Sequence, residues 1–203
     1  MSKFHSWATS ERKFYERTFD EFIEGLNLDS NLNVLDYGTG TGGFASMLAE
    51  THPRLKIKAV DLNANAIALA KENYAYLPNL KFGVANKITE GEYDLIFYNF
   101  VLHELEGEGD IETIEEFIKS AYKNLKKDGR IFVLETRKVP KKEFKEVHEK
   151  NNNPHKGTFN KEYMEHNRFT SETWIKMFEG VGFETLVAQD IEPNFIKYIG
   201  VKK

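Results

Sequence analysis

Apolar residues occur in two alternating arrangements along this chain from about residue 33 onward. Short continuous runs, which are typical of buried strands, alternate with stretches in which apolar residues recur every three or four positions, which is typical of helices. The predicted strands are 34–35, 57–62, 80–85, 93–101 and 129–136, and helices are predicted at 42–50, from about 63 to 70, and at 111–125. This alternation predicts an α/β fold with a mostly parallel sheet and helices on both of its faces.

The C-terminal part of the chain has a different pattern. After a helix predicted at 171–179, two strand-like segments, 184–192 and 195–203, are joined only by Pro193 and Asn194. Such a short link cannot make a parallel crossover, so we predict an antiparallel hairpin at the end of the sheet.

Length and composition indicate one globular domain spanning 1–203. The chain has 203 residues, a hydrophobic fraction of 40% and no cysteine, which excludes a disulfide framework and a cysteine-based zinc site. Residues 1–29 have helical periodicity, and the sequence shows neither a bilayer-spanning apolar run nor a leader sequence. We therefore expect a cytoplasmic enzyme or binding protein that does not act at a membrane.

Charge is distributed unevenly along the chain. The formal net charge is −4, but residues 137–168 contain nine Lys and Arg against five Glu, a net of +4, which leaves −8 on the rest. A slightly acidic protein is not suited to broad, non-specific binding of nucleic acid, so nucleic acid is not the expected partner.

The sequence NVLDYGTGTGGFA, at 33–45, places several glycines between the first predicted strand and the first predicted helix. These glycines fit two templates. Gly38, Gly40 and Gly43 have the G-x-G-x-x-G spacing of dinucleotide-binding loops. Asp36 followed by Gly38, Gly40 and Gly42 fits a loop that holds S-adenosylmethionine.

The position of Asp36 favours the second template. A dinucleotide brings a negatively charged pyrophosphate, which a carboxylate at the strand end would repel. S-adenosylmethionine brings a carboxylate that suits the N–H groups at a helix start and an ammonium group that Asp36 can accept. The predicted terminal hairpin agrees, since nicotinamide-binding domains do not usually end in one. A nicotinamide enzyme is the alternative.

VLDYGTGTGGFA and the segments after it resemble a class I S-adenosylmethionine-dependent methyltransferase of the small-molecule type, from about residue 30 to the C-terminus. The resemblance implies a Rossmann-like, seven-stranded sheet closed by the hairpin, with S-adenosyl-L-methionine as the cofactor. It implies these binding residues: Asp36, Gly38, Thr39, Gly40 and Gly42 in the loop, Asp61 at both ribose hydroxyls, Leu62 and Asn86 at the adenine, and Asn99 facing the transferring methyl. Asn86 departs from the family's usual aspartate, although an amide oxygen also accepts from the adenine amino group.

Methyl transfer from a sulfonium is an in-line displacement, which needs positioning and, for some acceptors only, a base. The segment NFVLHE, at 99–104, lacks the Asn/Asp-Pro-Pro-Tyr pattern of enzymes that methylate nucleobase amines or glutamine, and it resembles small-molecule methyltransferases instead. Histidine is suited to accepting a proton near neutral pH, so His103 is a candidate catalytic residue. The alternative role for His103 is packing at a strand–helix junction.

The segment 137–169 is longer than a plain crossover needs, and it leaves the sheet at the edge where open α/β folds bind ligands. We predict a substrate lid for an anionic or phenolic small molecule, with Tyr163, His166 or Arg168 in contact and Tyr163 and His166 as candidate catalytic residues. The alternative is a solvated, lysine-rich helical hairpin. The histidines here match no compact metal motif, so no metal site is expected.

The sequence therefore predicts a single-domain methyltransferase that transfers a methyl group to a small-molecule acceptor. A protein or RNA methyltransferase, or a non-catalytic protein that binds S-adenosylmethionine, are the alternatives. The acceptor atom and the oligomeric state are left open.

Overall fold

The structure is a computed structural model of the chain. It describes residues 30–88, 90–105, 111–150, 163, 169–191 and 194–203, with the backbone alone at 111–112 and 147–150. The helix predicted within 1–29 lies outside these ranges, and so does most of the predicted lid after residue 150.

Within those ranges, the order of strands and helices follows the predicted alternation. The strands are β1 (Asn33–Tyr37), β2 (Lys56–Asp61), β3 (Leu80–Val84), β4 (Tyr93–Asn99), β5 (Leu125–Thr136), β6 (Phe183–Ile191) and β7 (Phe195–Lys202). The α-helices are α1 (Gly43–Thr51), α2 (Ala64–Asn73), α3 (Ile111–Asn124), α4 (Lys141–Lys150) and α5 (Ser171–Val181), and a 3-10 turn spans Leu102–Glu104.

The strands form one sheet in the order β3-β2-β1-β4-β5-β7-β6. β1 pairs with β2 and β2 with β3 in parallel, so α1 and α2 are crossover helices, as the alternation predicts. β7 pairs antiparallel with both β5 and β6, which confirms the predicted C-terminal hairpin. The second strand of the hairpin lies next to β5, and the first strand forms the edge of the sheet.

The chain divides into two compact units, the first up to residue 97 together with 124–129, and the second comprising 98–123 and 130–203. In the first unit, the parallel strands β1 to β3 carry the core, and Val34, Leu35 and Ala59 are fully buried. Helix α2 begins directly after β2 because the Asn63 side chain accepts the N–H groups of the residues at 65 and 66, which caps the helix.

In the second unit, helices α3 and α5 cover one face of the strands. Tyr122 of α3 and Phe178 of α5 both contact Phe183 at the start of β6, with ring centroids 5.0 and 6.1 Å apart. Because both helices reach the same ring, they lie on the same side of β6 and β7. Helix α5 ends at Gly182, whose φ of 116° is available to glycine at low cost.

Two strand boundaries differ from the predicted ones. β4 ends at Asn99 instead of residue 101, because Phe100 has a φ of 53°, outside the range of extended strands. β5 begins at Leu125 instead of residue 129, because α3 passes directly into it. Within β5 the backbone is irregular at Asp128, which has a φ of 62°.

No helix in the ranges that the structure describes is long and apolar enough to cross a membrane.

Candidate functional site

The glycine loop in the first unit is a tight left-handed turn between β1 and α1. Gly38, Gly40 and Gly42 have φ values of 77°, 55° and 83°, a region that side chains with a Cβ rarely adopt. The N–H groups of Gly38 and Thr39 both donate to the Val60 carbonyl, at 2.8 and 3.0 Å. The loop is therefore fastened to β2 by its own backbone.

Gly42 and Gly43 distinguish the two templates that the sequence left open. In dinucleotide-binding loops the last glycine of G-x-G-x-x-G allows close packing of helix and strand. In the described part of the chain, a Cβ on Gly43 would meet nothing within 4 Å, whereas a Cβ on Gly42 would lie 2.7 Å from the Phe82 ring and 3.3 Å from the Ala70 side chain. The glycine that the packing requires is thus Gly42, which belongs to the S-adenosylmethionine template.

Asp61 ends β2 and joins the loop to the start of α2. Its Oδ2 accepts the Gly40 N–H at 2.7 Å, and its Oδ1 accepts the Asn63 N–H at 2.8 Å. Asp61 is only half-buried, and a carboxylate offers about four lone-pair directions, so two of them are left for a ligand. This arrangement suits an acceptor for the two ribose hydroxyls.

Asp36 is 1% exposed, and its Oδ2 accepts the Thr39 hydroxyl at 2.6 Å. The carboxylate thereby supports the shape of the loop. Next to it, burial, with a further contribution from the charge of Asp61, raises the pKa of Tyr37 to about 12. The Tyr37 hydroxyl therefore stays protonated at neutral pH and adds no negative charge to the loop.

Leu62 and Asn86 follow the ends of β2 and β3. Leu62 is 64% exposed, a large apolar surface directly beside Asp61. The Asn86 side chain is also exposed, and Ala85 before it donates its N–H to the Asp61 carbonyl at 3.0 Å. An exposed leucine and an exposed amide fit the predicted contacts to an adenine ring.

The residues of the first unit fit S-adenosylmethionine. Among the described residues, a Cβ on Gly40 would meet nothing within 4 Å, so this part of the backbone leaves open space where a ligand can approach closely. The beginning of α1 supplies N–H groups that a helix cannot satisfy internally, and Asp61 supplies the acceptor for hydroxyls. Donors and acceptors of both kinds are therefore present for the amino-acid and ribose parts.

Asn99 lies in the second unit, at the last position of β4. Its Nδ2 atom is buried and has no hydrogen-bond partner in the part of the chain that the structure describes. Buried donors are nearly always satisfied in folded proteins, so the partner of this one lies outside the described residues, in a ligand, in solvent or in the rest of the chain. This observation agrees with a ligand-facing role, which the resemblance implied for Asn99.

Glu135 is a functional candidate that the sequence reasoning missed. It lies on β5, is fully buried, and accepts hydrogen bonds from the Leu102 N–H at 2.7 Å and the Thr136 N–H at 3.2 Å. The Nδ1 of His103 lies 2.7 Å from its Oε2. A glutamate within the apolar run IFVLET was the available signal, since a carboxylate in a buried strand needs partners.

His103 is 5% exposed and belongs to the 3-10 turn after β4. With Nδ1 against Glu135, its Nε2 lies 3.8 Å from an oxygen of Glu104. These contacts place the ring at the strand–helix junction, which was the alternative to a catalytic role.

The predicted lid is described only in part. Tyr163 packs edge-on against Phe144 of α4, with ring centroids 5.4 Å apart, and the Lys141 ammonium lies 5.5 Å from its ring centre. The two candidates further along the lid, His166 and Arg168, lie outside the described residues. The lysine-rich helix α4 has Lys141, Lys142 and Lys145 exposed or partly exposed to solvent, as the alternative interpretation expects.

Among the residues described, no cluster of three or more His, Cys, Asp or Glu could hold a metal ion.

The fold and the loop define a class of protein, the S-adenosylmethionine-dependent methyltransferases of the Rossmann-like type. Comparison with known families agrees. The chain belongs to the methyltransferase small domain family, whose model matches residues 18–160.

Proteins of this class that are similar to the chain carry names with different methyl acceptors. Release factor glutamine methyltransferase of Streptococcus pneumoniae is 40% identical over 84 residues, which is 39% of this chain and 29% of that protein. Ribosomal RNA small subunit methyltransferase C of Shewanella piezotolerans is 32% identical over 112 residues, 53% of this chain and 32% of that protein. Phosphoethanolamine N-methyltransferase 1 of Triticum aestivum is 26% identical over 194 residues, 90% of this chain and 34% of that protein. The chain spans about a third of the length of these curated relatives.

Solved structures show the same fold. A SAM-dependent methyltransferase from Aquifex aeolicus has a TM-score of 0.67 at 18% identity, covering 91% of this chain and 89% of that one. Human N-acetylserotonin methyltransferase in complex with SAM has a TM-score of 0.66 at 17% identity, covering 97% of this chain and 55% of that one. The predicted class, its cofactor and the seven-stranded sheet are thus confirmed at the level of the family, while the roles of individual site residues stay predictions.

Proposed function

We propose that this protein transfers the methyl group of S-adenosyl-L-methionine to a small-molecule acceptor. The observation that carries the proposal is the bond from the Gly40 N–H to Asp61, at 2.7 Å, beside a loop backbone with open space in front of it. When bound, S-adenosylmethionine supplies an activated methyl carbon, so the chain has to bind, orient and exclude water.

Each residue of the first unit has a separate task in this proposal. Asp61 accepts the ribose hydroxyls with its two remaining lone-pair directions, while its bonds to Gly40 and Asn63 hold it in place. Leu62 covers one face of the adenine, and Asn86 accepts from the adenine amino group. Asp36 keeps the loop shape through Thr39 and attracts the ammonium group of the amino-acid end.

A small molecule is the acceptor class best supported. The relative named for phosphoethanolamine aligns with 90% of this chain, whereas the relatives named for release factor glutamine and ribosomal RNA align with 39% and 53%. The segment NFVLHE also lacks the Asn/Asp-Pro-Pro-Tyr pattern. The relatives named for RNA and protein nevertheless weaken the sequence argument against a nucleic-acid acceptor, and they define the second candidate.

His103 is the candidate for removing a proton from the acceptor, and packing at the strand–helix junction is the alternative that its contacts favour. With Nδ1 held by Glu135, the other ring nitrogen is the one that could accept a proton. Tyr163 and His166 are proposed as acceptor contacts from the predicted lid. Tyr163 already packs on Phe144 and lies near Lys141, so its contribution would be the shape of the acceptor site.

The first experiment measures binding of S-adenosylhomocysteine by calorimetry in the parent protein, Asp61→Ala and Asp94→Asn. Asp94 is a matched control, because it is a partly buried carboxylate of the same unit that also accepts a backbone N–H, from Asn33 at 2.7 Å. We expect Asp61→Ala to weaken binding by roughly 30-fold or more, since charge-assisted hydrogen bonds are lost. Asp94→Asn should bind like the parent. Equal affinity of Asp61→Ala and the parent would contradict the proposed cofactor site.

The second experiment identifies the acceptor. The protein is incubated with S-adenosylmethionine carrying a labelled methyl group and with three separate pools, namely fractionated metabolites, total RNA and a protein extract. Label in a metabolite fraction supports the proposal, and label in RNA or protein alone establishes the second candidate. Cofactor binding without label in any pool would indicate the third alternative, a binding protein without turnover.

A further inference from the structure

Two carboxylates beside the glycine loop are held by consecutive residues of that loop. The Thr39 hydroxyl donates to Asp36 Oδ2 at 2.6 Å, and the Gly40 N–H donates to Asp61 Oδ2 at 2.7 Å. Asp36 belongs to β1 and Asp61 ends β2, the strand that pairs with β1. Gly40 donates from its backbone, whereas Thr39 donates from its side chain. Only the bond to Asp36 therefore depends on which side chain the loop carries.

The hydrogen-bond donors of Thr39 are all used within the first unit. Its N–H donates to the Val60 carbonyl at 3.0 Å, and its own carbonyl accepts the Gly42 N–H at 2.9 Å. A threonine hydroxyl has one hydrogen, and here that hydrogen is donated to Asp36. Thr39 has no N–H or O–H left to donate to a ligand, so its effect on a ligand has to pass through Asp36.

Asp36 needs such a donor because its carboxylate is buried, with 1% of the residue exposed. A buried carboxylate is costly unless hydrogen bonds compensate its charge. Hydroxyl donors make their shortest and strongest bonds to ionised carboxylates, and the 2.6 Å between Thr39 and Asp36 lies in that range. The Thr39 hydroxyl therefore favours the charged form of Asp36 and fixes the orientation of its carboxylate.

A charged and oriented carboxylate selects a different part of a ligand from the part that Asp61 selects. An ammonium group carries a positive charge and several N–H donors, both of which an ionised carboxylate attracts. The ribose hydroxyls proposed for Asp61 occur in every adenosine compound, whereas the ammonium group occurs only in those with an amino-acid end. Asp36 can therefore distinguish among adenosine ligands, and Asp61 cannot.

We propose that Thr39 is a positioning residue, which gives the site its selectivity for adenosine ligands with an amino-acid end by holding Asp36 charged and oriented. The proposal rests on the proposed function and assigns Thr39 an indirect role in it. The alternative is that the bond between Thr39 and Asp36 only shapes the loop. A change in loop shape would also move Gly40 and Asp61, so it would affect all adenosine ligands alike.

The test compares S-adenosylhomocysteine with methylthioadenosine, which shares its adenosine and thioether groups but lacks the amino-acid end. Binding of both ligands is measured by calorimetry in the parent protein, Thr39→Val and Thr39→Ser. Valine has the shape of threonine without the hydroxyl, and the backbone of Thr39 is not in the positive-φ region that would strain it. We expect Thr39→Val to bind S-adenosylhomocysteine about tenfold more weakly than the parent and methylthioadenosine equally well. Thr39→Ser keeps the hydroxyl and should restore the parent's ratio of affinities.

Two further variants are the controls. Thr51→Val makes the same substitution at the C-terminal end of α1, where the hydroxyl donates to the Met47 carbonyl at 2.9 Å, so both affinities should match those of the parent. Asp61→Ala should weaken both ligands, because both carry the ribose. The melting temperature of each variant is recorded, so that loss of the fold is distinguished from loss of a single contact.

Three results would overturn the proposal. Equal weakening of the two ligands in Thr39→Val would mean that the bond only shapes the loop, and unchanged binding of both would mean that the bond has no effect on the site. A Thr39→Ser variant that behaves like Thr39→Val would show that the hydroxyl is not the group responsible. In each of these cases the parent still binds S-adenosylhomocysteine and the proposed function stands, whereas a parent that binds neither ligand would overturn both.

Discussion

Asp61 and Glu135 both accept backbone N–H groups, but the two carboxylates differ in how far they are exposed to solvent. Asp61 accepts two N–H groups and stays partly open to solvent. Glu135 accepts two N–H groups and contacts His103, and none of its surface is exposed. Asp61 therefore has hydrogen-bond-accepting capacity left for a ligand, whereas the carboxylate of Glu135 is used by contacts within the chain. Asp61 and Glu135 therefore differ in their exposure to solvent, although both carry a carboxylate and both accept backbone N–H groups.

The largest expected effect tests this difference directly. Glu135→Ala leaves two buried N–H groups and His103 without their acceptor, so we expect the free energy of unfolding to fall by about 3 kcal/mol. Asp61→Asn should lower it by less than about 1 kcal/mol, because water can replace the lost acceptor. Urea unfolding followed by circular dichroism measures both. A similar loss of unfolding free energy in the two variants would mean that the two carboxylates contribute equally to stability, whatever their exposure.

The second prediction concerns the glycine loop, whose Gly40 N–H donates to Asp61. Gly42→Ala must place a side chain at a φ of 83° and against the Phe82 ring, so we expect a loss of about 2 kcal/mol in unfolding free energy. Gly43→Ala should be neutral or stabilising by up to about 1 kcal/mol, since it meets open space in a helix. Thermal unfolding of the pair is the measurement. The reverse order of stability would favour the dinucleotide template.

The third prediction concerns His103 and compares a positioning role with a role as the catalytic base. If it is a positioning residue, His103→Gln keeps a donor toward Glu135 and reduces turnover only a few-fold, with the pH dependence of kcat/KM unchanged. If it is the base, the acid limb of that profile disappears and turnover falls about 100-fold or more. The contacts of His103 lead us to expect the first result. The profile is measured with the acceptor identified by labelling.

The strands, the crossovers and the glycine loop could be predicted because their signals are local. Strand–helix alternation and the Asp36 and glycine spacing each occupy a few neighbouring residues, and the short Pro193–Asn194 link required a hairpin. Asp61 was named from the family resemblance, and its place at the end of β2 agrees with that prediction. Local chemistry was enough wherever the structural reason lay within one element and its turn.

The remaining features depend on contacts between residues far apart in the sequence. Glu135 meets Leu102 and His103 at separations of 33 and 32 residues, so no local pattern indicates what its carboxylate holds. The requirement for Gly42 comes from Phe82 on another strand. The end of β4 was placed two residues late because the Phe100 φ is imposed by packing, while its sequence context is apolar and strand-like.

The last comparison concerns alkaline pH, where one tyrosine from each of the two units has a raised pKa. Burial raises the pKa of Tyr198, on β7, to about 12, and burial likewise raises that of Tyr37, beside the loop, to about 12. In the unfolded chain these hydroxyls ionise near a pKa of 10.0, so protons are lost first from the unfolded state. The free energy of unfolding is therefore unaffected below about pH 10 and falls as the pH rises toward 12. Tyr198→Phe and Tyr37→Phe should each remove about half of that fall, measured by urea unfolding between pH 9 and pH 11.5. If the unfolding free energy of Tyr198→Phe depends on pH as that of the parent does, the Tyr198 hydroxyl reaches water. The comparison between groups that are closed to solvent and groups that are open to it would then depend on Glu135 alone.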